Sequence, residues 1–250
     1  MKFAFVDYRI SNEEIYNLIN LNIKPLRTPK MHGIYDAVNG HTDIQIFQTA
    51  LLKNSFIINK DIDTDFLNDL IFSSANYYFS ESEIGAQYPQ DIILNAVSTD
   101  NFLMHNLKYT DKKILASASS KTLIDIKQGY TRCSCAIVSN DAFITNDKGI
   151  YEALTAKKYD VLLLPYGDIE LEGFEYGFIG GACGLIDNNT MAFFGNLDKY
   201  KYGTEVKKFL KKHNVEPVYL HDGGLIDRGS LLVFNNEDKD PVPQLSKLLK

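Results

Sequence analysis

The sequence predicts a mixed α/β protein closed into a pseudo-fivefold ring, an α/β propeller of five strand-strand-helix-strand (ββαβ) repeats. Three observations predict it. Five short apolar runs each end in asparagine, "SFIIN" 55–59, "FLMHN" 102–106, "AFITN" 142–146, "AFFGN" 192–196 and "LLVFN" 231–235. They recur at about 40 to 50 residues, the length of one supersecondary unit. A second apolar run stands upstream of each, and most of the runs are followed by a helical pattern and a further strand.

Taken in order, the upstream runs are "DIQIF" 43–47, "DIILN" 91–95, "CAIV" 135–138, "CGLI" 183–186 and "GLI" 224–226. Turn-forming stretches such as "STDN", "SND", "DNNT" and "DRGS" separate most pairs, which predicts hairpins near 43–59, 91–106, 134–146, 182–196 and 223–235. Phe66, Leu67, Leu70 and Ile71 recur at helical spacing behind the capping candidates Asp63 and Thr64. Helices are also expected over 111–121, 148–158 and 204–214, each followed by a strand. The fifth copy stops after its hairpin. Residues 1–40 offer the missing parts: the strand "KFAFV", a helix opened by a Ser11/Glu14 capping box, and the strand "IKPL". The helical candidate "PVPQLSKLLK" near the C-terminus competes with the N-terminal helix for that place. Either choice makes 1–250 a single domain and removes the sheet edges of an open array. The asparagines suit strand ends, where the side chain bonds nearby backbone N–H groups.

With 250 residues, 45% apolar and 23% charged, the chain can bury a large core without disulfides or metal. A net charge of −6 argues against nucleic acid as a partner. No apolar run approaches the length of a membrane span, and the N-terminus lacks a signal-peptide core. Three cysteines, Cys133, Cys135 and Cys183, do not form a disulfide framework, so a reducing cytoplasm is expected.

The repeat order, with the run "YGFIGGACGLID" 176–187 leading into "TMAFFGN", resembles the pentein fold of guanidino-group-modifying enzymes, and a bacterial branch of it. The resemblance spans essentially the whole chain. It implies a small cationic or guanidino-type ligand, no cofactor, a His-x-Asp pair in a middle repeat, and a nucleophilic cysteine after paired glycines in the last. Here His41 and Asp43 form the pair but in the first repeat, and Gly223 and Gly224 precede "LIDRGS", which has no cysteine. Two repeats after His41 lie Cys133 and Cys135, the alternative nucleophiles.

On a strand, His41 and Asp43 would share a face, as would Cys133 and Cys135, with Arg132 beside them to favour a thiolate. The plainer alternative makes His41 a strand-edge residue and the cysteines small core hydrophobes. Gly180, Gly181 and Cys183 could form a close backbone approach to a ligand or a tight packing site. Asp91 occupies the place in its unit that Asp43 holds in the first, and Asp227 is a further carboxylate suited to a cation. A Cys-x-Cys zinc site would need other ligands, of which His221 is the best placed, and no metal is expected. Two functions follow. One is a cysteine-dependent hydrolase of guanidino or amidine C–N bonds. The other is a non-catalytic protein binding a metabolite or protein partner through its axial pocket or acidic face. No pattern fixes an oligomeric state.

Overall fold

The computed structural model describes residues 1–238. Among them, five three-stranded sheets share one pattern, in which the middle strand pairs antiparallel on one side and parallel on the other. The N-terminus supplies β1 (Lys2–Asp7), α1 (Asn12–Asn20) and β2 (Ile23–Thr28). The next unit holds α2 (Thr42–Gln45), β3 (Ile46–Gln48), β4 (Phe56–Ile58), α3 (Thr64–Ser73) and β5 (Tyr77–Phe79). It is followed by β6 (Val97–Ser98), β7 (Phe102–His105), α4 (Lys112–Ser117) and β8 (Thr122–Asp125). Then come β9 (Cys135–Ile137), β10 (Ala142–Thr145), α5 (Lys148–Thr155) and β11 (Asp160–Leu163). After the short β12 (Ile169–Glu170) stand β13 (Cys183–Asp187), β14 (Thr190–Phe193), α6 (Gly203–Lys212) and β15 (Glu216–Tyr219), then β16 (Leu225–Ile226) and β17 (Leu232–Asn235).

Each parallel pair is joined through a helix, as a parallel connection requires. The helix starts are fixed by side chains: Ser11 and Glu14 form the capping box of α1, and Asp63, Asp111 and Asp147 accept from backbone N–H groups at the starts of α3, α4 and α5.

The remaining sheet corrects the expected fifth hairpin. β16 does not pair with β17; it pairs in parallel with β12, Ile169 opposite Leu225. β17 instead runs antiparallel to β1, with Phe3 opposite Phe234, and β1 pairs in parallel with β2. "LLVFN" is thus the first strand of its sheet and β1 the second. The residue matching the strand-end asparagines is Asp7, whose Oδ1 accepts from Arg9 N at 2.8 Å just as Asn59 and Asn196 accept from residues two further on. The helix joined to this sheet is α1; the competing segment "PVPQLSKLLK" lies outside the described residues. A second correction concerns 91–95, where a single 3-10 turn over Gln90–Ile92 replaces the expected strand and pairing begins at Val97.

Burial falls from the first and middle strands, almost wholly buried, to the third strands β5, β8, β11 and β15, which are half-exposed. Phe234 packs on Phe5 at 5.1 Å and on Phe56 at 5.0 Å between ring centroids, tying the β17–β1 sheet to its neighbour. Gln48, Ser98, Ile137, Leu185 and Val233, one from the first strand of each three-stranded sheet, line one cavity of about 20 Å³. No helix among the described residues is long and apolar enough to cross a membrane.

Candidate active site

The chain leading into each first strand contributes to one place. Residues 41–43 precede β3, Asn95 precedes β6, Cys133 precedes β9, Gly180 and Gly181 precede β13, and 227–230 precede β17. Hydrogen bonds pass from each of these segments to the next and return to the start. Asn95 Nδ2 donates to Asp43 O at 3.1 Å, and Arg132 N to Asn95 O at 3.1 Å. Gly181 N donates to Cys133 O at 2.9 Å, Ser230 N to Gly181 O at 2.9 Å, and Asp43 N to Gly229 O at 3.0 Å.

His41 and Asp43 do not lie on a strand. His41 caps α2 and Asp43 sits in its turn. The reason is the register: Ile46 faces Ile58, the last residue of β4, and before Gln45 the backbone bonds leave the sheet, Ile44 N to His41 O in the helical turn and Asp43 N to Gly229 O. Cys133 is likewise in a turn, so alternation with Cys135 fails. The two sulfurs part company: Cys133 faces Asp43, while Cys135 packs among Val97, Phe102 and Phe143.

Cys133 Sγ lies 3.1 and 3.0 Å from the two carboxylate oxygens of Asp43. Asn95 donates to the sulfur at 3.4 Å and Ser230 Oγ donates to Asp43 Oδ2 at 2.6 Å. One donor atom each from His41, Asp43 and Cys133 falls within 4.8 Å of the others. Among the described residues both ring nitrogens of His41 are buried without a hydrogen-bond partner, and Nδ1 is 3.9 Å from Asp227 Oδ1. Asp227 is held by Phe178 N at 2.9 Å and Gly229 N at 3.0 Å. His41, Cys133 and Asp227 form the floor of a cavity of about 530 Å³ whose walls are mainly aromatic.

Burial pushes the Cys133 thiol well above its ordinary range, the negative charges of Asp43 and Asp227 push it further, and the Asn95 hydrogen bond opposes them. Burial likewise raises the Asp227 carboxyl against the pull of His41. The resting sulfur is therefore a thiol donating to Asp43. Nitrogen, oxygen and sulfur so close together also form a donor set that could hold a zinc-like ion, a capacity the sequence reading did not anticipate.

The other candidates fall elsewhere. Cys135 and Cys183 are core residues, and Cys183 Sγ donates to Ile179 O at 3.2 Å. Arg132 turns away from Cys133; its Nη1 donates to Cys135 O at 3.2 Å and Gly180 O at 3.4 Å beside the small central cavity. Asp91 stands behind the cavity wall, accepting from Tyr130 Oη at 2.5 Å. His221 faces Glu14 at 3.7 Å rather than any cysteine. Gly180 and Gly181 act through what they lack. A Cβ on Gly180 would come within 2.3 Å of Arg132 O, and one on Gly181 within 1.8 Å of Asp227 Oδ1. Reading the sequence missed Asn95, Ser230 and the aromatic walls. Asn95 closes the "DIILN" run that read as a strand, and the aromatics come from Tyr35, Tyr88, Tyr130 and the alternating "FEYGF" 174–178, far apart along the chain.

Three solved structures share this arrangement of the chain. SxtG, an amidinotransferase of the saxitoxin biosynthetic pathway from Microseira wollei, is 10% identical, with 87% of each chain covered and a TM-score of 0.53. The inosamine-phosphate amidinotransferase StrB1 from Streptomyces griseus is 12% identical over 87% of this chain and 76% of its own, with a TM-score of 0.54. A substrate-bound agmatine deiminase from C. jejuni is 12% identical over 90% and 80%, with a TM-score of 0.50. The fold is that of the pentein proteins. No curated protein matches the sequence. Residues 5–232 match the model of DUF6873, a family of unknown function, and it is to this family that the chain belongs.

Proposed function

We propose that the protein is a cysteine-dependent enzyme acting on the C–N bond of a guanidino or amidine compound, built on a closed five-unit propeller. The observation that carries the reading is the meeting of Cys133, His41 and Asp227 on the floor of one cavity, with Asp43 buried behind the sulfur. The circuit of hydrogen bonds through the five lead-in segments supports closure of the ring.

A guanidinium seated at Asp227 would neutralise one of the two charges that help keep Cys133 protonated. The thiol proton then passes to His41, whose ring nitrogens have no other partner. Sulfur adds to the guanidinium carbon, the C–N bond breaks, and His41 returns the proton to the departing amine. Water, losing a proton to His41, adds to the S-amidino carbon. The C–S bond breaks and the thiol re-forms. This chemistry needs no cofactor, and the three free cysteines suit a cytoplasmic protein.

Mass spectrometry of the protein incubated with guanidino compounds tests the reading. An amidino adduct is expected on Cys133, together with ammonia or amine release, and Cys133→Ser should lose about 10³-fold in turnover. Cys135→Ser and Cys183→Ser should retain it. The second reading, a binding protein without turnover, draws on the high thiol pKa; saturable binding with neither adduct nor release would establish it. Turnover should survive EDTA treatment, because the thiol route uses no metal. Loss of turnover on chelation, restored by zinc, would move His41, Asp43 and Cys133 from acid-base and nucleophile roles to metal ligands.

A further inference from the structure

The walls of the cavity say more about the ligand than its floor does. Among the described residues no lysine or arginine lines it, and its charged groups are Glu175 and Asp227, with His41 on the floor. The rest is apolar surface: Val38 and Leu171 beside the rings of Tyr88, Tyr130, Phe174 and Phe178, among others. Tyr88 and Tyr130 stand 6.0 Å apart between centroids, and Tyr176 and Phe178 6.2 Å, the latter edge-on at 82°. The Tyr130 hydroxyl is already committed to Asp91, so that residue offers a ligand its ring rather than a polar group. Phe174 and Tyr88 are 56% and 48% exposed at the mouth, large apolar surfaces that a bound molecule would cover.

Beyond Tyr35 and Phe174 lies a second cavity of about 570 Å³ that does contain Arg9 and Lys30. Arg9 is committed to an acidic partner, and Lys30 is only loosely paired. Arg9 Nη2 is 2.5 Å from Asp7 Oδ2 and Nη1 donates to Asp36 O at 3.0 Å, while Lys30 Nζ is 4.0 Å from Asp36 Oδ1. Glu172 adds a further negative group there. A ligand carboxylate or phosphate on the floor would meet Asp227 and Glu175 and, among the described residues, no cation, since Lys30 stands only in the outer cavity.

Resting on the guanidino reading of the floor, we infer that the substrate is a guanidinium or amidinium whose nitrogen substituent is apolar, alkyl or aryl, and carries no acidic group. The cation is held by Asp227 and the substituent lies against the aromatic walls, where ring faces favour both apolar and cationic surface. Guanidino acids are rejected by the absent counter-charge.

Titration calorimetry tests this with 2-phenylethylguanidine, 4-guanidinobutanoate, arginine and guanidinium chloride on the Cys133→Ser chain, where no adduct forms, with thermal shifts of the wild-type chain alongside. 2-Phenylethylguanidine should bind at least tenfold more tightly than either guanidino acid. Phe174→Ala and Tyr88→Ala, both at exposed rings whose loss leaves the core intact, should reduce that ratio severalfold without weakening guanidinium chloride. Equal or tighter binding of arginine or 4-guanidinobutanoate would overturn the inference while leaving the guanidino reading standing. Binding of none of the four compounds would overturn both.

Discussion

Arg132 and Cys133 are neighbours in sequence and face opposite ends of the molecule's centre. Arg132 sits at a cavity of about 20 Å³, its guanidinium satisfied by the carbonyls of Cys135 and Gly180. Cys133 opens onto a cavity of about 530 Å³ among Asp43, Asp227 and a histidine with no hydrogen-bond partner. One buried cluster is closed by its own backbone; the other keeps unspent hydrogen-bonding capacity and an excess of negative charge. A protein rarely retains the second kind of cluster for stability alone, since unpaired buried polar atoms destabilise it. The contrast separates a structural end from a chemical end within two consecutive residues.

The sharpest way to break that contrast is Gly181→Ala. Its new methyl group would overlap Asp227 Oδ1 and displace the carboxylate from His41. Turnover or ligand affinity should fall about 10²-fold, the cost of roughly an ångström of misplacement, and circular dichroism should stay native. Unchanged activity would remove Asp227 from the chemistry. At the other end, Arg132→Ala should lower stability by about 1–3 kcal/mol in urea unfolding, because the Cys135 carbonyl loses its donor, while Cys133 still forms an adduct. Loss of the adduct in a folded Arg132→Ala chain would show that the two ends are not separate.

The smallest effect concerns the two core cysteines. Burial pushes the Cys135 and Cys183 thiols up to about 12 from an ordinary 9.0. Because the folded values lie above the unfolded ones, their contribution is complete below about pH 9 and is lost as pH rises toward 12. Cys183→Ala should therefore make the alkaline decline of the urea midpoint shallower between those limits. An unchanged slope would mean that this thiol does not ionise on unfolding.

The repeat was legible because its inner strands are short, wholly apolar and closed by turn residues, a pattern that burial on both faces imposes. The fifth unit was misread for the same reason. "LLVFN" has the form of a second strand, and only its pairing with β1 shows it to be a first one. His41, Asp43, Cys133 and Asp227 were all visible as residue types, yet the strand geometry expected to pair His41 with Asp43 and Cys133 with Cys135 was wrong. The lead-in segments are turns, and a period-two rule says nothing about side-chain direction there. Asn95 and Ser230 carried no signal, since their roles depend on partners that stand 37 or more positions away. Of the aromatic walls only "FEYGF" 174–178 carried a visible alternation, and nothing tied it to Tyr35, Tyr88 and Tyr130 on distant segments.

The pairing of β1 with β17 has a consequence for biosynthesis. Lys2 meets Asn235, so β1 waits for a strand made far later in synthesis before its sheet is complete. Asp43 and Ser230 meet under the same constraint, and the acidic pocket comes into being only once the chain has been made as far as Ser230. A nascent chain halted before Leu232 would expose the buried edge of β1 and present a sticky strand rather than a half-built pocket.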